Sequence, residues 1–237
     1  GFSHRRSADD GAGHRQGPAI VSGKGIVMQV KICGITNLED ALCAAQNGVA
    51  AVGFIFHRPS PRFINPQKVA EITDKLPAHL VKVGVFVNEK ESFVRRTFER
   101  CRLDMIQLHG DESPGYCRQF PRNRIIKALS LQTEEDVRRA GDFDVAAILA
   151  DARHDGLYGG TGRTADWNLA KKIAGPMVLS GGLNEFNILE ALQKVRPAAL
   201  DINSGVEKKP GKKDSAKISC MMRIIHSAST CGTAPNI

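Results

Sequence analysis

Met177-Val178-Leu179-Ser180-Gly181-Gly182-Leu183-Asn184 and Ala199-Leu200-Asp201-Ile202-Asn203-Ser204-Gly205-Val206-Glu207 share one form. Each is a short apolar run that breaks into small polar residues. Six earlier runs repeat the apolar half: Gln29 to Cys33, Ala51 to Phe56, Val81 to Val87, Met105 to His109, Arg124 to Leu129 and Val145 to Asp151. With Met177 to Ser180 and Ala199 to Ile202 they make eight candidate strands. Val145-Ala146-Ala147-Ile148-Leu149 is continuously apolar, as a strand covered on both faces requires.

Helical patterns fill the intervals. Thr36-Asn37-Leu38-Glu39 reads as a capping box with Thr36 at the N-cap, and Leu38, Ala41, Leu42 and Ala45 then share a face. Pro66 suits a first helical turn capped by Asn65, followed by Val69, Ile72 and Leu76. Thr133-Glu134-Glu135-Asp136 opens another helix, its acids placed at the positive end. Asn184 is expected to cap the helix carrying Ile188, Leu192 and Val195, and Asp214 the one carrying Ile218, Met222 and Ile225. Alternating strands and helices call for parallel strands joined by right-handed crossovers. Eight such units can close and leave no sheet edge. An open doubly wound sheet would be expected to show G-x-G-x-x-G after its first strand, and Cys33-Gly34-Ile35-Thr36 is not that. The expectation is an α/β fold, a single-domain (β/α)8 TIM barrel over residues 28–228. Residues 1–27 are expected to be a disordered N-terminal extension, and 229–237 a loose C-terminal tail.

Composition narrows the function classes. A chain of 237 residues with 42% hydrophobic content can bury one sizeable core. No apolar run is long enough to span a bilayer, and residues 1–24 lack the apolar centre of a secretory signal. The formal net charge is +8, with Lys208, Lys209, Lys212 and Lys213 clustered, yet aromatics are only 5%. No basic helix is interleaved with stacking residues, so a nucleic-acid partner is not expected. A basic rim that attracts a small acidic substrate is. The six cysteines form no C-x-x-C pair, which points to free thiols in a reducing cytoplasm. Monomer and homodimer are both compatible with the pattern.

In a β/α barrel the active site lies at the C-terminal strand ends. Here those ends carry Cys33, the loop His57 to Arg62, Asn88, Gln107 and His109, Ser130, Asp151, Ser180, and Asn203-Ser204-Gly205. Gly181-Gly182 and Asn203-Ser204-Gly205 follow adjacent strands. Small residues let backbone N–H groups reach an anion, so the two loops together predict a phosphate site. Taken alone, Cys33 reads more readily as a small core residue. As a catalyst it needs thiolate character, which a partly exposed position under a basic mouth would favour. Asp151 ends a fully apolar run and could instead cap a helix or pair with Arg153. The sixth strand stands three places from the first around the ring, so Asp151 and Cys33 would face each other as acid and base. Arg62, on a loop stiffened by Pro59 and Pro61, suits capture of a carboxylate. Gln107 and His109 are candidates for substrate contact. Tyr158-Gly159-Gly160-Thr161-Gly162 reads as a lid or a connector. The histidines show no metal-ligand spacing, and no nicotinamide, pyridoxal or P-loop signature is present.

Several stretches, in order, resemble one family. They are Val30-Lys31-Ile32-Cys33-Gly34-Ile35-Thr36, Val83-Gly84-Val85-Phe86-Val87-Asn88, Gln107-Leu108-His109-Gly110, Tyr158-Gly159-Gly160-Thr161-Gly162, Leu179-Ser180-Gly181-Gly182-Leu183-Asn184, Asp201 to Glu207, and Pro210-Gly211-Lys212-Lys213-Asp214. The family is phosphoribosylanthranilate isomerase, of tryptophan biosynthesis. The resemblance implies a β/α barrel enzyme that uses no cofactor. Its reaction would be the Amadori rearrangement of N-(5-phosphoribosyl)anthranilate to the 1-deoxyribulose 5-phosphate. It further implies Asp151 as general acid, Cys33 as general base and Arg62 as the holder of the anthranilate carboxylate. The chain departs at Ala165, where an aromatic is usual, and at Ala150, where Leu is common. A neighbouring barrel isomerase would be expected to use paired aspartates, which Cys33 argues against. An indole-glycerol-phosphate synthase would be expected to show a pair of catalytic lysines, and Lys127 inside the fifth strand makes a weak case for it. A phosphoribosyl-binding protein without turnover has no support in the residues.

Overall fold

The computed structural model describes residues 28–151 and 166–231. Eight parallel strands form a closed barrel in chain order: β1 (Gln29–Ile32), β2 (Ala51–Ile55), β3 (Val81–Phe86), β4 (Met105–Leu108), β5 (Ile125–Ser130), β6 (Ala147–Asp151), β7 (Met177–Leu179) and β8 (Ala199–Ile202). β1 closes the ring, with Ile32 in register with Val52 of β2 and Ile202 of β8. The expected single-domain (β/α)8 barrel is what the chain forms. Helices α1 (Leu38–Gln46), α2 (Pro66–Thr73), α3 (Glu91–Arg100), α4 (Pro114–Cys117), α5 (Glu134–Ala140), α6 (Trp167–Ala170), α7 (Ile188–Val195) and α8 (Ser215–Cys231) alternate with the strands. A small antiparallel hairpin, β9 (Glu207–Lys209) and β10 (Lys212–Lys213), is inserted between β8 and α8.

Several helix starts follow local chemistry. Asn65 accepts from the Gln67 N–H with Pro66 in the first turn. Thr133 and Asp136 form a reciprocal capping box, and Asp214 accepts from the Ala216 and Lys217 N–H groups. Three expectations are corrected. The α1 cap is Asn37, not Thr36: Asn37 accepts from the Asp40 N–H and its amide donates to the Asp40 carboxylate. The Thr36 hydroxyl is taken by the Gly211 carbonyl, in the turn of the hairpin. The α7 cap position is Asn187, and Asn184 accepts from the Phe186 N–H in the turn before it. Finally, α8 continues through Cys231, so residues 229–231 are helical rather than tail, with the Ser229 hydroxyl donating to the Ile225 carbonyl. Residues 1–27 and 232–237, and with them the extension and most of the tail, lie outside the described residues.

Strand alternation sorts side chains into two cores. Val30, Ile32, Val52, Phe54, Leu108, Ile125, Ala150 and Leu179 face the helices in one cluster. Ala51, Val83, Met105, Ile126, Ala128, Ala147, Leu149, Val178 and Ala199 fill the barrel interior in another. Small and branched residues plug the barrel from below, so the cavity opens only where the interior positions turn polar, at the C-terminal strand ends.

Candidate active site

At that end lies a cavity of about 500 Å³. Its wall includes Cys33 from the β1 end, Ile55, His57 and Arg62 from β2 and its loop, Val85 and Val87 from β3, and Gln107 and His109 from β4. Asp151 from β6, Ser180-Gly181-Gly182 from β7, and Asp201, Asn203 and Ser204 from β8 complete it. Thus nine of the ten sequence-predicted residues line one cavity. The tenth, Gly205, does not. A Cβ on Gly205 would sit 2.0 Å from the Leu183 carbonyl oxygen, so its lack of a side chain lets the β8 loop lie directly against the β7 loop.

Gly181 and Gly182 have φ of 89° and 62°, conformations that glycine adopts without steric cost. Among the described residues their N–H groups donate to no acceptor. Asn184 and Asn187 both donate to the Gly182 carbonyl and pin the turn. The result is a cradle of unspoken-for backbone donors beside the Ser204 hydroxyl, a chemistry suited to an anion.

Arg62 is buried, and its position is dictated by Glu207. Nε donates to Oε1 at 3.0 Å and Nη2 to Oε2 at 2.7 Å. Lys213 Nζ also donates to Glu207 at 2.9 Å and to the Asn203 side chain at 2.9 Å. Burial works against the Glu207 carboxylate, but the Arg62 and Lys213 cations hold its pKa below the usual range. Burial likewise pushes the Lys213 ammonium down, with Glu207 opposing. Gly34 makes room above this network, since a Cβ there would meet Arg62 Cδ at 2.7 Å and Asn203 Oδ1 at 2.8 Å. Among the described residues Arg62 Nη1 has no partner, so the arginine retains donors for a ligand anion.

Asp151 is buried and joined to His109, Nε2 to Oδ2, at 2.9 Å. His109 Nδ1 faces the Gln107 amide nitrogen at 2.8 Å. An amide N–H donating to Nδ1 places the ring hydrogen on Nε2, where it donates to the Asp151 carboxylate. The opposite amide orientation would set Gln107 Oε1 against Nδ1 and put the ring hydrogen there, so that Nε2 accepts from a protonated Asp151. Gln107 Oε1 is itself buried without a hydrogen-bond partner. The relay Gln107–His109–Asp151 therefore fixes the orientation of the Asp151 carboxyl at the β6 end of the cavity. Arg153 and the Tyr158 to Gly162 loop lie outside the described residues.

Cys33 is covered like the small core residue it resembles when taken alone. It is 4% exposed, not partly open, and burial pushes its thiol up, while the Lys31 ammonium draws it back down. Lys31 Nζ donates to Asp201 Oδ1 at 2.8 Å, both side chains being buried. Lys31, Asp201 and Glu207 were not singled out from the sequence, and Lys213 only as one of a basic cluster at the rim, where it is instead buried. A period-two signal was available for the first: Lys31 and Cys33 are two apart on one strand and so share the interior face. Glu207 and Lys213 left no local signal, since they meet Arg62 only through the hairpin. Among the described residues, no cluster of His, Cys, Asp and Glu could hold a metal ion.

Comparison with known proteins agrees with the cavity. Residues 30–223 match the family model described as N-(5'phosphoribosyl)anthranilate (PRA) isomerase. A protein of Syntrophus aciditrophicus named N-(5'-phosphoribosyl)anthranilate isomerase is 45% identical over 199 residues, 83% of this chain and 86% of that protein. The crystal structure of phosphoribosyl anthranilate isomerase from Thermotoga maritima superposes with a TM-score of 0.78 at 38% identity, covering 85% of this chain and all of that one. A further structure of the isomerase, in complex with reduced 1-(o-carboxyphenylamino)-1-deoxyribulose 5-phosphate, superposes with a TM-score of 0.76 at 38% identity and the same coverage. By sequence along nearly all of its barrel, and by the fold that carries the cavity, the chain belongs to the N-(5'-phosphoribosyl)anthranilate isomerase family.

Proposed function

We propose that the chain is an isomerase of tryptophan biosynthesis that converts N-(5'-phosphoribosyl)anthranilate to 1-(2-carboxyphenylamino)-1-deoxyribulose 5-phosphate by acid–base catalysis. The observation that carries the residue assignments is the arrangement of the cavity wall. Cys33 and Asp151 stand on different arcs of one cavity, with the glycine cradle and Arg62 as separate anion sites. The sugar phosphate takes the Gly181-Gly182 and Ser204 cradle. The anthranilate carboxylate takes Arg62, whose planar fork is held by Glu207. The ribose is then suspended between acid and base.

Asp151 gives a proton to the ribose ring oxygen as the C1–O bond breaks, and the anilino nitrogen supplies the electron pair that forms the Schiff base. Cys33, as thiolate, takes the proton from C2. The C2–H pair becomes the C1–C2 double bond, and the C=N pair returns to nitrogen. The enolamine then tautomerises to the ketone. His109, oriented by Gln107, donates from Nε2 to one Asp151 oxygen and holds it in place, which leaves the other oxygen to carry the proton that Asp151 gives. No step calls on a cofactor. The described cysteines are free thiols, which suits a reducing cytoplasm. Among the described residues no helix is long and apolar enough to cross a membrane.

The test is growth. A tryptophan auxotroph lacking this isomerase should grow without tryptophan when it carries the chain, and should not when it carries Asp151→Ala. Failure of the soluble wild-type protein to support growth would overturn the reading.

A further inference from the structure

The proposed reaction needs a thiolate, yet Cys33 sits in a wall where burial disfavours charge. Something must hold that charge. Two side chains of opposite sign reach the same place from adjacent strands. Lys31 and Asp201 are direct register partners on β1 and β8, so their side chains leave the sheet on one face and meet at 2.8 Å inside the barrel. Lys31 is 1% exposed. An ammonium has three hydrogens, and this one has a single oxygen partner among the described residues.

Gly53 shows where the remaining donors go. It is the interior residue of β2 beside this pair. A Cβ there would lie 2.8 Å from Cys33 Sγ, 3.0 Å from Lys31 Cε and 3.1 Å from Lys31 Nζ. One small volume, kept open by a glycine, therefore holds both the thiol and the ammonium. The charged groups that act on Cys33 are Lys31 from its own strand, Asp201 from β8 and Lys213 from β10. Lys213 is engaged by Glu207 and Asn203, and β2 contributes only Gly53 at this point. Lys31 is thus the cation placed to answer a charge on sulfur.

We propose that Lys31 is a positioning residue that holds the Cys33 thiolate: its ammonium, tethered to Asp201, turns part of its hydrogen-bonding capacity to the sulfur when the thiol loses its proton. The assignment of Cys33 as base belongs to the functional reading above; the role of Lys31 toward the sulfur can be measured without turnover. When the thiolate takes the C2 proton, an S–H bond forms and the ammonium returns to Asp201. Lys31 exchanges no proton with the substrate. The two partners of this ion pair have opposite effects on the sulfur. The cation favours thiolate and the carboxylate disfavours it.

That opposition makes the test. The rate of alkylation of Cys33 by iodoacetamide, followed by mass spectrometry of its peptide in the ligand-free protein, is measured against pH. Lys31→Met should move the midpoint up by about one unit or more, so that Cys33 alkylates roughly tenfold more slowly on the acid side of the midpoint. Lys31→Arg should restore most of the rate. Asp201→Asn keeps the shape and the lysine charge, and should move the midpoint down. It also keeps the proposal testable if Lys31→Met fails to fold. Midpoints that stay put in folded variants overturn the proposal, as does a loss of turnover in Lys31→Met with the Cys33 titration unmoved. The pH profile of kcat/KM separates the two readings. If alkylation shifts as stated but the kcat/KM limb does not follow, the role of Lys31 stands and Cys33 is not the base.

Discussion

Three lysine–carboxylate pairs are buried among the described residues, and two of them have opposite characters. Lys127 and Glu112 lie on the helix side of the wall, with side chains 1% and 2% exposed. Lys127 is one residue out of phase with the interior residues Ile126 and Ala128, so it points outward. Its ammonium donates to the Leu108 and Gly110 carbonyls and to Glu112, which exhausts its three hydrogens. Glu112 in turn accepts from the Asn88 and Gly110 N–H groups. That network is closed, and it ties the loop after β4 to β5. Lys31 and Asp201 are just as buried, but they lie inside the barrel, where Asp201 reaches the cavity wall and the Lys31 ammonium has one oxygen partner among the described residues and the Cys33 sulfur beside it. Burial is equal in the two places. What separates a scaffold pair from a chemical one is whether its hydrogen bonds are all made.

The difference can be broken from either side. The largest effect belongs to the cavity: Cys33→Ala and Asp151→Ala should each lower kcat by about two to four orders of magnitude, the span of general acid–base groups, with little change in the urea midpoint. Steady-state turnover and denaturation read both quantities. Near-wild-type turnover in Cys33→Ala would remove it as the base. Next is Lys127→Met, which strands Glu112 in the protein and should cost about 3–5 kcal/mol of stability. Turnover per folded molecule should persist. Loss of turnover in a fully folded Lys127→Met protein would place chemistry on the wrong pair. Smaller again is Arg62→Ala. Losing a charged hydrogen bond of about 1.5–3 kcal/mol should raise KM by roughly ten- to a hundredfold with kcat nearly kept. A fall in kcat at unchanged KM would show that Arg62 acts in the transition state instead of anchoring the anthranilate.

The two lysines also show what can be read from a sequence. The barrel was legible because each strand is an apolar run with punctuation on both sides, and strand periods need no distant partner to be recognised. The glycine loops and Asp151 were legible for the same reason, as residues at strand ends. Strand parity separates Lys31 from Lys127, but it does not say that Asp201 stands opposite Lys31. That depends on ring closure between the first strand and the last. Thr36 fails as a cap for a similar reason: its hydroxyl is captured by Gly211, 175 residues away. Thr and Asn are both good N-cap residues, and here a long-range contact engages Thr36 and leaves the cap to Asn37. The place of Cys33 at a strand end did not decide between its two readings, core residue and partly open thiol, because that depends on what the neighbouring loops place over it.

Arg62–Glu207–Lys213 lies between the two extremes, since one carboxylate is shared by two cations while Arg62 keeps an unclaimed Nη1. Its pH dependence gives the smallest of the predicted effects. The folded pKa of Glu207 is depressed by Arg62 and Lys213 against the opposing effect of burial. A carboxylate of this kind contributes stability above the unfolded value, about 4.3 for Glu, and loses it as pH falls through the folded value. Wild type should therefore exceed Glu207→Gln in urea stability at neutral pH, and the gap should narrow as pH drops below about 4.3. Asp136, whose pKa is also lowered because burial is outweighed by hydrogen bonds from Gln132 and Thr133, titrates in both proteins and cancels from the difference. A gap that stays constant down to the acid transition would mean that the Glu207 charge contributes nothing to the fold. The carboxylate would then serve only to aim Arg62, and Glu207→Gln should still raise KM.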